Sequence, residues 1–413
     1  MQPKQARTGS ERRKPKQEAG TGRRHTVDLV SVVTQQTRRR WVVVAAGIAV
    51  LLSLPVATST GASLVAGLGE DRAVPSPAVL MKRALASESV AHSGLAESSG
   101  ALGLPDLPQL ADVAAALGGT TRTRVWWVKP NSWRVDVLTS TGEQGVYDDR
   151  GRTVLWNYEQ ARLTEVVGSS TIRLPRADDL LPPQAARRLL SGLGPKDHMA
   201  ALPGRRSIAG VRAAGLRIVP ADRRSTIGHV DLWLEPNRGL PVAIEVVDTK
   251  GTTALRSRFL ELDLTAPPAA RVRVPAAPGA AHDISDAPDL AARIQQFSDQ
   301  RQFELPDRLA GIGTSAPIVG AGTYGTGLVR FVVLPLPGRL AEQVLDAARS
   351  GGGADLDLPG GEALLVSSGL INLVVAQTAD RRRSYLLTGL VSDSLLTTAT
   401  GELFQMPTPQ WFP

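Results

Sequence analysis

The segment from Val125 to Tyr158, VWWVKPNSWRVDVLTSTGEQGVYDDRGRTVLWNY, constrains the fold more than any other part of the chain. Apolar and polar residues alternate in short runs, broken by Lys-Pro-Asn-Ser, Thr-Gly-Glu and Asp-Asp-Arg-Gly. A period of two gives a strand one apolar face, and closely spaced turn residues join such strands as antiparallel neighbours. Trp133, Val135 and Val137 share one parity, Arg134 and Asp136 the other; Val154, Trp156 and Tyr158 align likewise. Four of the seven tryptophans (Trp126, Trp127, Trp133, Trp156) lie here, and Trp233 sits in the similar phrase HVDLWLEPNRGLPVAIEV. A sheet with one apolar face and no catalytic residue type on it favours holding an apolar object over doing chemistry.

Charge is distributed unevenly. Of 47 Lys+Arg and 39 Asp+Glu, residues 1–40 hold 11 and 3, so the rest of the chain carries 36 of each sign. A nucleic-acid-binding domain needs its basic patch on the folded part, so the bulk charge argues against nucleic acid. Residues 1–40 read as a disordered cytoplasmic tail. Arg38-Arg39-Arg40 then abuts WVVVAAGIAVLLSLPVATST, an uncharged run over residues 41–60. That length crosses a bilayer as a helix, and the basic flank keeps the amino terminus inside. The alternative is a cleaved signal peptide, which would leave the protein secreted. Either way, the chain beyond residue 60 is expected outside the cytoplasm. With no cysteine there is no disulfide framework, thiolate metal site or lipid-anchor cysteine.

Past the membrane segment, Ser76-Pro77 opens a helix through 77–89. A Gly/Pro-rich loop is expected over 98–117. Strands follow at 121–128, 132–138, 143–147, 153–158 and 162–166, then a helix at 177–190 and strands at 210–219, 228–235, 240–248 and 254–264. An Ala/Pro-rich linker covers 267–301. A second unit, 302–403, reads as strand, helix, three strands and a short helix, with a tail at 404–413.

Little chemistry survives inspection. Gly320-Ala-Gly322-Thr-Tyr-Gly325 matches the dinucleotide fingerprint by letter, but a strand, LVRFVVL, follows where a helix is needed, so a hairpin is expected. The five histidines (His25, His92, His198, His229, His282) have no spacing that seeds a metal site or triad, and read as surface or strand-end residues. Asp148-Asp149 and Asp178-Asp179 fit a turn and a helix start. No catalytic residue, metal or cofactor is expected. For the tryptophans, spacing alone does not separate a sheet core from a cavity wall.

The order of phrases, SGLAESSGALGLPDLP, VWWVKPNSWRVDVL, YDDRGRTVLWNYEQARLTEV, IAGVRAAGLRIVP and GHVDLWLEPNRGLPVAIEV, resembles the LolA-like lipoprotein-carrier superfamily. It is more similar still to the RseB/MucB-type two-domain regulators of extracytoplasmic sigma factors. The resemblance implies an α+β protein: a strongly curved antiparallel half-barrel over 75–266, wrapped around helices, plus a smaller C-terminal α+β domain, after a single N-terminal transmembrane helix. It implies an apolar interior for lipid or lipoprotein acyl chains, and an anti-sigma factor as partner. Trp126, Trp133, Trp156 and Trp233 are the residues expected to face the ligand. A tethered chain cannot shuttle across an envelope, so sensing or holding fits better than carrying. The alternatives are an interaction module with a solid core and no pocket, or an envelope hydrolase with an unfamiliar site.

Overall fold

The alternating runs become neighbouring strands of one large sheet. The computed structural model describes residues 75–100, 119–138, 142–168, 177–287, 305–315 and 321–407. The expected cytoplasmic tail and membrane segment, 1–60, lie outside them. No helix among the described residues is long and apolar enough to cross a membrane.

Helix α1 (Pro77–Ala86) leads into β1 (His92–Gly100), followed by a meander of β2 (Thr120–Lys129), β3 (Ser132–Leu138), β4 (Glu143–Asp149), β5 (Arg152–Asn157) and β6 (Arg162–Val167). The β4–β5 turn places Arg150 and Gly151 at φ 59° and 82°, the mirror-image turn that matches strand twist in a two-residue hairpin. Helix α2 (Pro182–Ser191) then precedes β7 (His198–Ile208), β8 (Val211–Val219), β9 (Ile227–Leu234), β10 (Pro241–Asp248) and β11 (Thr253–Asp263). β1 pairs with β11, which joins the two meanders into a single twelve-stranded sheet that ends without closing. β1 and β11 approach closely at Gly94, where a Cβ would lie 2.1 Å from the Glu261 carbonyl oxygen.

Three strands of this sheet escaped the sequence reading. β1 fell in the unassigned stretch after the expected helix and on the first residues of the expected loop. β7 was not anticipated at all. The third, β12 (Ala281–Asp286), lies in the expected linker and pairs in parallel with β6 as the sheet's outermost strand. On the way to it the chain lays Val274, Ala277 and Ala280 against Tyr147, Val154, Trp156 and Leu163. Up to Asp286, then, the Ala/Pro-rich segment is part of the first unit, because the tyrosine and tryptophan on that sheet face need a cover.

Helices α1 and α2 close the other face. Leu80 and Ala84 of α1 meet Ala186 and Leu190 of α2 over Leu216, Leu232 and Ile244 of β8, β9 and β10, all buried. Fully burying a leucine-sized side chain contributes about 1.5–3 kcal/mol, so this seam is a major source of the unit's stability.

The second unit is a six-stranded antiparallel sheet in the order β15 (Gly322–Thr326), β16 (Val329–Pro335), β20 (Ser384–Gly389), β19 (Ile371–Thr378), β18 (Gly361–Ser368), β17 (Ala354–Asp355). A small hairpin, β13 (Arg308–Leu309) and β14 (Ile312–Gly313), precedes it. Helix α4 (Asp393–Gln405) sets Leu395, Leu396, Ala399 and Leu403 on Phe331, Val333, Val374 and Leu387. Helix α3 (Gly338–Ser350) packs on the same central strands, and β19 is buried at every position. The described part of the glycine fingerprint, Gly322–Gly325, lies in β15 and is answered by the antiparallel β16.

The two units are bolted together. Ser225 bridges Val391, the Ser225 hydroxyl donates to the Leu328 carbonyl at 2.8 Å, and the Thr226 hydroxyl donates to Leu370 at 2.6 Å. Leu328, Leu370 and Ile371 belong to the same core as Leu190 of α2.

Candidate functional site

Side chains directly opposite each other in an antiparallel sheet share a face. His92 lies opposite Trp127, and Trp127 opposite Trp133. The same parity runs through Val125 and Val135, through Ser98 and Ser257, and on to Ile244 and Leu232, under the helices. These residues therefore line the inner face. The three rings form a row across β1, β2 and β3. His92 and Trp127 stack at 6.1 Å between centroids and 16°, Trp127 and Trp133 at 5.5 Å and 8°. Phe259 of β11 meets His92 edge-on at 5.8 Å. The Trp127 indole N–H donates to the Glu88 carbonyl at 2.8 Å, which fixes the row at its centre.

Two polar groups sit in this apolar setting without adequate partners. His92 is 1% exposed. Its Nδ1 donates to the Val90 carbonyl at 2.8 Å, and its Nε2 is buried with no hydrogen-bond partner. Burial pushes its pKa down to about 4; the Val90 bond opposes this, and the nearby positive charge of Arg187 adds to it. Arg187 projects from α2 to 5.9 Å from the Trp127 ring centroid. Among the described residues its one hydrogen bond is a long 3.4 Å contact to the Ser87 hydroxyl, and no carboxylate lies within ion-pair distance. Burial draws its pKa down to about 10 against a weak pull from Glu88. A desolvated guanidinium beside an aromatic face with no counter-ion is costly, because nothing replaces its lost hydration except the ring.

The outer face carries a different cluster. Register places Trp126 with Arg134, Arg134 with Tyr147, and Tyr147 with Val154, two residues from Trp156. The Arg134 guanidinium lies 4.8 Å from the Trp126 ring and 5.1 Å from that of Tyr147, and donates to Asp136 and to the Tyr158 hydroxyl. Asp136 is wholly buried, and that burial lifts its carboxyl to about 7, with Arg134 opposing and Glu143 adding to the rise. This arginine is satisfied on every side and reads as architecture. Trp233 also faces outward, over Gly215 and beneath Arg206 at 5.6 Å.

The four tryptophans expected to form one wall are thus divided. Trp133 faces inward, whereas Trp126, Trp156 and Trp233 face outward by strand parity. Trp133's inward partners are Trp127, His92, Phe259 and Arg187, none of which the sequence reading chose. The tryptophan pair at 126–127 held the signal, since adjacent strand residues must point to opposite faces. Arg187 gave none, being one of two consecutive arginines in an amphipathic helix; its neighbour Arg188 pairs with Asp179 at 2.9 Å.

The remaining histidines make no catalytic constellation. His198 and His282 are exposed, and His25 lies outside the described residues. His92 stands at a strand end, as the first residue of β1, but is buried rather than on the surface, since Trp127 and Phe259 enclose it. His229 lies 3.8 Å from Asp231, but both carboxylate oxygens take the Arg217 fork at 2.7 Å. Among the described residues no group of three His, Cys, Asp or Glu could hold a metal ion.

No family model and no curated protein matches the chain. Its structure is similar to solved members of the LolA superfamily: one from Nitrosomonas europaea shares 13% identity, covers 48% of this chain and 98% of its own, and has a TM-score of 0.22. The chain is also similar to MucB. The Pseudomonas aeruginosa MucA/MucB complex shares 17% identity over 78% of this chain and 96% of that one, with a TM-score of 0.43.

Proposed function

We propose that this chain is a non-enzymatic binding protein that holds an acyl chain or a similarly apolar ligand against the inner face of its open sheet. The observation that carries this reading is the inward row His92–Trp127–Trp133 with Phe259. It places flat apolar surface beneath helix α2 rather than beneath another sheet. Ligand sites are typically apolar with few convergent polar groups, and this face has two. The uncharged run over 41–60 supports a protein tethered to a membrane with its folded part outside the cytoplasm. On that arrangement the protein holds or senses lipid in place, and the docked second unit presents the outcome to a partner. The sequence resemblance favours an anti-sigma factor for that role.

Mass spectrometry of lipids that co-purify with the full chain, with titration of a fluorescent fatty acid read by energy transfer from the tryptophans, tests the reading. Bound acyl lipid and saturable transfer that falls in Trp133→Ala support it. A lipid-free preparation with no saturable transfer overturns it in favour of a solid-core interaction module. Titrating the lipid-free and lipid-loaded chain with the outer segments of the host's anti-sigma factors tests the partner, and equal absence of binding in both states removes it.

A further inference from the structure

Resting on that reading, we propose that the ligand is an anionic amphiphile, and that Arg187 holds its charged oxygen while its chain lies along Trp127, Trp133 and Phe259. Arg187 lacks a counter-charge among the described residues. Elsewhere in this unit the arginines facing buried carboxylates are matched: Arg134 with Asp136, Arg188 with Asp179, Arg217 with Asp231. Arg187 is largely buried yet has one stretched hydroxyl contact and a ring for company. Removing one partner of a buried ion pair is strongly destabilising, so a chain that buries a lone guanidinium has left a place for the other charge. The second observation is independent. His92 presents a bare Nε2 in the same enclosure, against the same tryptophan; with Nδ1 donating to Val90 it is an acceptor, fit for a ligand hydroxyl rather than for the anionic oxygen. Two polar groups, from β1 and α2, await partners around one aromatic surface, and no described carboxylate is within ion-pair distance of the cation, Glu88 acting on it only from farther off.

The chemistry follows from the guanidinium. Its planar donors match carboxylate or phosphate oxygens in pairs, and in this dry setting such bonds are shorter and stronger than neutral ones. A neutral head group of equal chain length leaves Arg187 as uncompensated as the empty protein does. Selectivity is then a matter of charge rather than of chain.

The full chain, carried in phosphatidylcholine nanodiscs, is loaded with cis-parinaric acid, and displacement is measured with palmitic acid, palmitoyl-lysophosphatidic acid, hexadecanol and monopalmitoylglycerol. Each displacement is compared between wild type and variant in the same discs, which cancels partition into the bilayer. In wild type, the two anions should displace the probe at concentrations at least tenfold below the two neutral lipids. Palmitate the better would assign a carboxylate, the lysophosphatidate a phosphate. Arg187→Gln should bring the anions to the level of the neutral lipids and leave those unchanged, and Arg187→Lys should restore part of the preference. The empty Arg187→Gln protein should melt no lower than wild type, since it sheds an uncompensated charge, whereas a purely structural arginine would give a lower melting temperature. Equal displacement by anions and alcohols, or an anion preference that survives Arg187→Gln, overturns this inference and leaves acyl binding standing. If no probe binds at all, the proposed function falls, and this inference with it.

Discussion

Acid should loosen the inner face through His92, and the size of the effect follows from its burial. In the unfolded chain the imidazole titrates near its ordinary value of 6.5; in the folded chain it resists protonation until about 4. Between those values the unfolded state binds a proton that the folded state refuses. The contribution is therefore intact above pH 6.5 and is lost as pH falls to about 4, below which both states are charged and the loss stops growing. A separation of about 2.5 units at 1.36 kcal/mol each gives about 3 kcal/mol. Wild type alone would blur this. Asp136 shifts in the opposite sense over an overlapping range, favouring the folded state as pH falls from about 7 toward 4. The difference between wild type and His92→Phe isolates the histidine. Phenylalanine keeps the stacked ring and loses the bond to Val90, an offset that does not vary with pH. Urea unfolding followed by tryptophan emission is the assay, since five of the seven tryptophans lie in the first unit. The wild-type-minus-variant stability should fall by about 3 kcal/mol between pH 7.5 and 4. A difference that stays flat within about 0.5 kcal/mol would refute the claim that His92 is held neutral by burial.

Three other substitutions test other parts of the fold. Asp136→Asn should remove the component of the pH dependence between about 4 and 7, because the amide does not titrate; chemical denaturation of wild type and variant at pH 5 and 8 reads it. Gly94→Ala should cost roughly 2–3 kcal/mol and weaken amide-exchange protection along β1 and β11, because the added carbon meets the Glu261 carbonyl at 2.1 Å. Thr226→Val should cost about 1–3 kcal/mol by stranding the buried Leu370 carbonyl, and should split one melting transition into two as the second unit loses a tie to the first.

How far the sequence could be read depends on where each residue's partner lies. The strands of 125–158 were legible because alternation and turn residues are local, and each strand pairs with its neighbour in the chain. The first strand, HSGLAESSG, is poor in β-branched residues and is held between β2 and the distant β11, a pairing no window of sequence contains. β12 was hidden similarly: its burial is slight, and its pairing with β6 joins residues more than a hundred positions apart. Parity showed that Trp126 and Trp127 face apart, but only the position of α2 and its contact through Arg187 decides which of them faces in. The uncompensated charge was illegible for a plainer reason. An arginine in a helix usually reaches water, and only the folded structure shows this one turned against Trp127.

The same helix ties the aromatic row to the second unit. α2 carries Arg187 over the aromatic row and ends at Gly192, whose carbonyl accepts a 2.6 Å bond from Arg330 of β16. Leu190, one turn from Arg187, lies in a core that also contains Leu328, Leu370 and Ile371 of the second unit. A ligand that draws Arg187 toward its own charge cannot shift α2 without working against that bond and that packing. Packed cores resist continuous deformation, so a displacement at one end of a ten-residue helix must be absorbed at the other. Arg330 is itself partly desolvated, which leaves it no easy alternative partner in water. On the proposed function, a ligand at Arg187 and the second unit would act on one rigid element, α2, and any difference in the position each prefers would couple them.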